Sequence, residues 1–341
     1  MTQPAAPHAP ARNLRILLLA GCLAVGAVVI ALWPTFMFSG LLFSVQGLID
    51  VAPLVIPGIL ITAWIMSSGA DRLIRSAFQG RVLTSVIAAS ALGAVTPVCG
   101  VTVLPLMAGL LAAGVPFAPV MAFWLSSPIT DPAMLATTAA TLGIAFAVGK
   151  TVAAFGLGLF GGALTAVWGP SGGGQAVLRP NRLTMDLSAP SCCGPASFNP
   201  RIWEHAGRRA SFMRQAAATT KLILICLGPA FFAEYALNAA LTPGSLAHYV
   251  GPDKWWAIPA AVFVGAPAYI DGYAALPLTR GLLDNGMSQG AAMAFLVSGG
   301  TVSIWGALAI FPVLKLRPFG LYLALAVTGS LLAGYAFDWI V

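Results

Sequence analysis

The stretch GAVTPVCGVTVLPLMAGLLAAGVPFAPVMAFWLSS, residues 93–127, aligns without a gap with GAPAYIDGYAALPLTRGLLDNGMSQGAAMAFLVSG, residues 265–299. The offset is 172 residues throughout, and the same offset pairs Pro57 with Pro229. Identical positions include glycines, prolines and a serine as well as apolar residues: Gly93/Gly265, Pro105/Pro277, Gly114/Gly286, Met121/Met293 and Ser126/Ser298. Two unrelated apolar segments do not share Gly and Pro positions in this way. The pattern predicts an internal duplication.

The composition indicates a membrane protein. Of 341 residues, 59% are hydrophobic and only 8% are charged, whereas soluble domains carry about 25% charged residues. A soluble enzyme is therefore excluded, and the apolar runs are continuous rather than the short alternating segments of a β-barrel. We predict an all-α polytopic membrane protein with about eight to ten membrane segments.

Arginines indicate which loops face the cytoplasm. Residues 68–81 hold three Arg and residues 169–214 hold six, and loops rich in Lys and Arg lie on the cytoplasmic side. Three apolar runs separate these loops, so one run is predicted to be re-entrant or to cross twice. The two halves would then be inverted. The net charge of +7 comes from such loops and lacks the aromatic or Gly-rich patterns of RNA-binding segments, so no nucleic-acid partner is predicted.

These observations divide the chain into five parts. They are a disordered N-terminal tail (1–13), a first transmembrane helix that begins in the cytoplasm (14–33), a first membrane repeat (36–168), an Arg-rich cytoplasmic connector (169–212) and a second membrane repeat (213–341).

The candidate site lies where prolines interrupt the apolar runs. Pro97 and Pro128 remove backbone hydrogen bonds, and in lipid the freed groups must be satisfied by protein or by a water-filled cavity. Inverted repeats with broken helices are typical of secondary transporters, which bind substrate near the midplane at the repeat interface. The candidate substrate-binding residues are Pro97, Cys99, Gly100, Ser127, Asp131, Glu234, Asp271 and Gly272.

Some of these residues have simpler interpretations. Asp271 aligns with Cys99, and an intramembrane Asp by default marks an ion or substrate path. Cys99 could equally be a small packing residue, and Asp131 could cap a helix. Arg280 and Asp284 are four residues apart and could form a simple ion pair.

The connector contains adjacent cysteines, Cys192 and Cys193. Two neighbouring thiolates suit a soft ion such as arsenic(III), mercury or copper(I), although such pairs also occur without a ligand or as lipidation sites. The sequence contains no nucleotide-binding, dinucleotide-binding or His-box motif. We therefore predict no cofactor and no enzymatic activity, and expect an ion gradient or an ATPase partner to supply the energy.

The segment from Thr96 to Pro128 resembles the hallmark of the ArsP-type predicted permeases, roughly T-P-x-C-S-C-x-x-x-P followed by A-G-V-P and S-P. The matching residues are Thr96, Pro97, Cys99, Pro105, Gly109, Gly114, Val115, Pro116, Ser127 and Pro128. The resemblance implies an inner-membrane efflux permease for trivalent organoarsenicals. This chain departs from the family pattern at Gly100 and Val101, where the family has Ser and a second Cys.

Three functions follow as alternatives. The first is export of a soft metalloid or organometalloid, with Cys99 at the midplane and Cys192 with Cys193 as an entry site. The second is transport of another small solute or ion, with Cys99 only structural. The third is a membrane assembly or sensor protein that binds a partner through its connector. The sequence leaves open whether the chain forms a homo-oligomer in the bilayer.

Overall fold

The computed structural model describes residues 33–70, 82–96, 103–112, 114–169, 174–180, 198–240, 256–265, 272–302, 307 and 310–341. Within these ranges the chain is α-helical, and its extended structure is a single isolated bridge between Leu178 and Leu314. This confirms the predicted all-α class. The predicted tail (1–13) and all of the predicted first helix (14–33) except Trp33 lie outside the described residues.

The first half contains six described helices: α1 (Pro34–Ser68), α2 (Val82–Val95), α3 (Val103–Ala112), α4 (Phe117–Ser126), α5 (Pro132–Leu142) and α6 (Ile144–Trp168). Their ends follow local rules. Gly69 and Gly143 have φ angles of 83° and 98°, a region that glycine occupies without steric cost. Pro132 begins α5, where its missing N–H would have had no helical partner in any case.

The second half contains α7 (Ala206–Ala240), α8 (Ala257–Gly265), α9 (Gly272–Asp284), α10 (Gln289–Thr301) and α11 (Leu316–Ile340). Two short 3-10 turns, Gly174–Ala176 and Ile202–Glu204, precede α7. Helix α7 begins inside the segment expected to be a connector. Arg208 and Arg209 lie at its start. Because Arg is a good helix former, a group of Arg residues does not show where a loop ends and a helix begins.

The helix bounds in the two halves follow the offset found in the sequence. Helices α1 and α7 both have 35 residues, and α6 and α11 both have 25. In each pair the second helix begins 172 residues after the first. Helix α10 likewise begins 172 residues after α4. The duplication stays a prediction, and these matched bounds agree with it.

Both pairs of matched long helices pack antiparallel. At one end of α1 the ring of Phe36 lies 5.0 Å from the ring of Tyr235 on α7, and at the other end the Arg208 guanidinium donates to the Ser68 carbonyl at 2.7 Å. On α6, Phe146 packs 4.8 Å from Phe337. Further along α6, Leu157 covers Gly329, its own counterpart on α11. Antiparallel crossing at equivalent residues is the arrangement that inverted repeats would give.

Equivalent glycines allow close helix packing in both halves. A Cβ on Gly93 of α2 would lie 2.0 Å from Ser126 Oγ, and a Cβ on Gly265 of α8 would lie 2.5 Å from Ser298 Oγ. Small residues at such contacts let membrane helices approach closely. The two contacts set the distance of α2 from α4 and of α8 from α10.

Two described helices, α6 and α11, are long and apolar enough to cross a membrane. Helix α1 is a third candidate if its two parts, bent by 57° near Pro53, form one span. Helix α4 has 10 residues and α5 has 11, which gives each a length of about 15 Å, about half the hydrocarbon thickness. Neither crosses alone, and the predicted number of segments stays a prediction.

Parts of the connector are held against the helices. The backbone N–H of Arg179 donates to the Val313 carbonyl at 2.8 Å, and the N–H of Lys315 donates to the Val177 carbonyl at 3.0 Å. The Trp64 indole donates to the Pro200 carbonyl at 3.2 Å. The connector is therefore attached to the end of α1 and to the loop before α11.

Candidate functional site

The structure describes only some of the predicted site residues. Ser127 and Asp131 lie in the turn between α4 and α5, and Gly272 is the first residue of α9. Glu234 belongs to α7, with only its backbone described. The predictions for Pro97, Cys99, Gly100, Asp271, Cys192 and Cys193 fall outside the described residues.

The α4–α5 turn is a buried break between two short helices. Helix α4 ends at Ser126, as the Ser-Ser-Pro sequence predicts, since Pro128 cannot donate to the helix. Ser127 is 2% exposed, and its hydroxyl has no hydrogen-bond partner among the described residues. A buried polar group is usually hydrogen-bonded. The hydrogen-bonding capacity of the Ser127 hydroxyl is therefore not satisfied by the described residues.

Asp131 is a helix cap. One carboxylate oxygen, Oδ1, accepts hydrogen bonds from the backbone N–H groups of Ala133 and Met134, each at 2.8 Å. These are two of the N–H groups that the first turn of α5 leaves free. The predicted helix-capping role of Asp131 is therefore confirmed for its Oδ1 atom. A substrate role for the residue stays a prediction.

Lys150 is a buried charged residue that is not among the candidate site residues predicted from the sequence. It lies on α6, its side chain is 3% exposed, and it interacts electrostatically with Asp131. Burying a charge is costly unless it is paired, and residues of this kind in membrane helices usually serve a function.

Trp124 lies on α4, one turn before Ser127. The side chain is 1% exposed, and its ring lies 5.0 Å from the ring of Tyr322 on α11. The indole N–H has no acceptor among the residues described. The Tyr322 hydroxyl, in contrast, donates to the carbonyl of Thr301 at the end of α10.

The turn that follows α4 lies against the end of α10. The Pro128 carbonyl approaches Gly300 so closely that a Cβ there would lie 2.7 Å from it. Several polar residues here are buried: Ser126, Ser127 and Thr130 of the first half, and Ser298 and Thr301 of the second. The structure thus brings polar groups of both halves together at the end of two interrupted segments.

Of the two residues added by the structure, Lys150 and Trp124, only Lys150 could have been identified from the sequence. Lys150 could have been found, since it is the one charged residue of the 25-residue helix α6. The role of Trp124 could not, because a free indole N–H is visible only when every neighbour is placed. The pair Arg280–Asp284 does form, at 3.1 Å on an exposed face of α9, as its spacing predicts.

Comparison with known proteins identifies relatives. The family ArsP_1, described as a predicted permease, matches residues 39–339. The UPF0718 protein MJ0584 of Methanocaldococcus jannaschii is 31% identical over 137 residues, which cover 40% of this chain and 37% of that protein. The chain therefore spans little more than a third of that relative's length. No solved structure matches the chain.

Proposed function

Because this chain belongs to the ArsP_1 family of predicted permeases, we propose that it is a membrane permease rather than an enzyme and that it exports a soft metalloid or organometalloid, such as a trivalent organoarsenical. The observation that carries the proposal is the stretch from Thr96 to Pro128 with Cys99 within it. A thiolate is the protein ligand that trivalent arsenic prefers.

The position of Cys99 in the chain supports this role. In the sequence, Cys99 stands between α2, which ends at Val95, and α3, which begins at Val103. The buried α4–α5 turn follows in the same repeat. We place cargo at the interface of the two repeats, between the Cys99 segment and the region where the ends of α4 and α10 meet.

The proposal includes the orientation of the permease. The protein lies in the cell (inner) membrane with its N-terminus in the cytoplasm, because the Arg-rich segments 68–81 and 169–214 are of the cytoplasmic type. Cys192 and Cys193 would then meet cargo on the cytoplasmic side, where thiols stay reduced, before it reaches Cys99.

Uptake of methylarsenite into inside-out vesicles tests the proposal. We expect uptake by the wild type and a loss of about tenfold or more in Cys99→Ser, since a serine hydroxyl is a far weaker ligand for a soft ion. Cys226→Ser is the matched control, because it removes an apolar-segment cysteine of α7. Equal uptake by wild type and Cys99→Ser would remove the thiol from the mechanism.

A second cargo is favoured by one observation. Gly100 and Val101 stand where the family has Ser and a second Cys, so this chain offers one thiol in the motif. Transport of a different small solute or ion, with Cys99 only packing, would fit that departure. A deletion strain with unchanged arsenical resistance and a growth defect on another solute would establish it.

A further inference from the structure

The first turns of α7 carry a basic surface that the transport proposal does not use. Arg209, Arg214 and Lys221 are all exposed, and within the described ranges none of them forms an ion pair. Glu204 is the one acidic residue in the sequence from 198 to 233, and its carboxylate already pairs with Arg201 at 3.3 Å. No acidic residue of this segment therefore balances the three cations.

The three cations lie on one side of α7. Arg214 and Lys221 are seven residues apart, which brings them onto the same face two turns apart. Arg209 lies at the edge of that face, next to Met213, which is 61% exposed. The opposite side of the helix is buried, and its residues are Ser211, Phe212, Gln215, Thr219 and Ile223.

The equivalent face of α1 is apolar. The residues 172 positions before the three cations are Met37, Leu42 and Ile49, and Leu42 and Ile49 are 56% and 64% exposed. Large exposed apolar side chains of this kind mark a surface that contacts lipid or a partner. The packing of these two matched helices thus does not require cations at positions such as Arg214 and Lys221, and α7 carries them in addition.

The packing of α7 on α1 sets the depth of the cations. The Arg208 guanidinium donates to the Ser68 carbonyl at 2.7 Å, and the two helices are antiparallel. Ile61, seven residues before Ser68, therefore lies about level with Arg214. Ile61 is 56% exposed, which places the edge of the hydrocarbon near this level. Arg209 lies about 7 Å further out along the helix, at the depth of the lipid headgroups.

An exposed tryptophan marks the same depth. Trp203 is 60% exposed, and its ring lies 5.1 Å from the ring of Phe212, which stands between Arg209 and Arg214 on α7. The short turn that carries Trp203 is anchored, because Ile202 is fully buried in a cluster with Phe212. Trp side chains are enriched where membrane proteins meet the headgroups.

We propose that Trp203, Arg209, Arg214 and Lys221 bind the headgroup of an anionic phospholipid. Arginine suits phosphate recognition, and the long side chain of Lys221, the deepest of the three cations, can extend its ammonium toward the headgroups. Exposed apolar residues of α1 and α7 border the cations, and a lipid complements both the charge and the apolar surface. A soluble acidic peptide or a nucleic acid would complement only the charge. The inference goes beyond the proposed function and does not depend on the cargo.

Thermal stability in lipid-supplemented micelles tests this surface. The purified full-length protein in dodecylmaltoside would be titrated at low salt with phosphatidylglycerol, phosphatidylcholine or glycerol phosphate, with Tm as the readout. A ligand that binds only the folded state raises Tm. We expect phosphatidylglycerol to raise Tm more than the other two compounds do, and added sodium chloride to reduce the difference.

The variants assign the response to its residues. A cation close to anionic lipid contributes about a fivefold factor in binding, so Arg209→Gln with Arg214→Gln should raise the half-saturating phosphatidylglycerol concentration by about 25-fold. Arg209→Lys with Arg214→Lys keeps the charge and should retain the response. Arg280→Gln with Arg317→Gln is the control, because it removes two exposed arginines of the second half and should leave the response unchanged.

Several outcomes would overturn the proposal. One is a Tm that phosphatidylglycerol raises no more than phosphatidylcholine does, and another is an equal response to glycerol phosphate, which would indicate a site for a soluble anion. An unchanged response in the Arg209 and Arg214 double variant, or an equal loss in the control, would also refute it. If that double variant does not fold, Lys221→Gln decides, with about a fivefold weakening expected and no change refuting the surface. Methylarsenite uptake enters none of these outcomes.

Discussion

Replacement of Asp131 by Asn and by Ala separates its two roles in the structure. Asn keeps an oxygen that can accept from the N–H groups of Ala133 and Met134, now each 2.8 Å from Oδ1, and Asn is as good an N-cap as Asp. It removes only the negative charge that interacts with Lys150. Ala removes both the charge and the cap.

The structure sets the size of each effect. Loss of the cap should cost about 1 kcal/mol. Loss of the charge should cost about 0.5–3 kcal/mol, the range of coupling energies between interacting residues, because it leaves the buried ammonium of Lys150 without this opposite charge. Asp131→Asn should therefore destabilise by about 0.5–3 kcal/mol, and Asp131→Ala by about 1 kcal/mol more.

A double-mutant cycle with Lys150→Met isolates the charge effect. In the Lys150→Met background, Asp131→Asn should cost less than about 0.5 kcal/mol because there is no ammonium to balance, while Asp131→Ala should still cost about 1 kcal/mol for the cap. The assay is the free energy of unfolding from SDS titration in mixed micelles. The reasoning fails if Asp131→Asn costs the same in both backgrounds.

Two further predictions concern packing and surface charge. Gly93→Ala and Gly265→Ala should destabilise alike, each by about 1–3 kcal/mol from overpacking, because the added Cβ would meet Ser126 or Ser298 and a backbone carbonyl. Gly156→Ala, whose Cβ would meet nothing within 4 Å, should be neutral or stabilising, and unfolding titrations that rank it with the other two would contradict this account. Arg280→Ala breaks an exposed pair in which both side chains are more than half exposed and should change stability by less than about 1 kcal/mol. A larger loss, or a fall in transport, would give that pair a role that its exposure does not suggest.

Local rules made part of this structure predictable. The end of α4 at Ser126 and the start of α5 at Pro132 follow from Pro128, Asp131 and Pro132, whose effects extend over a few neighbouring residues. The Arg280–Asp284 pair follows from helical spacing alone. The start of α7 at Ala206 was not predicted, because its Arg-rich first turns read as a loop in a membrane sequence.

The sequence by itself determined the all-α class of this protein and the break after α4, because hydrophobicity and proline geometry act locally. The tertiary structure alone decided which polar residues remain unbonded. The Trp124 ring lies 5.0 Å from the ring of Tyr322 on α11, a helix of the other half, and Lys150 of α6 interacts electrostatically with Asp131. Whether a buried donor has an acceptor depends on every neighbour in space, and those neighbours come from both halves of the chain.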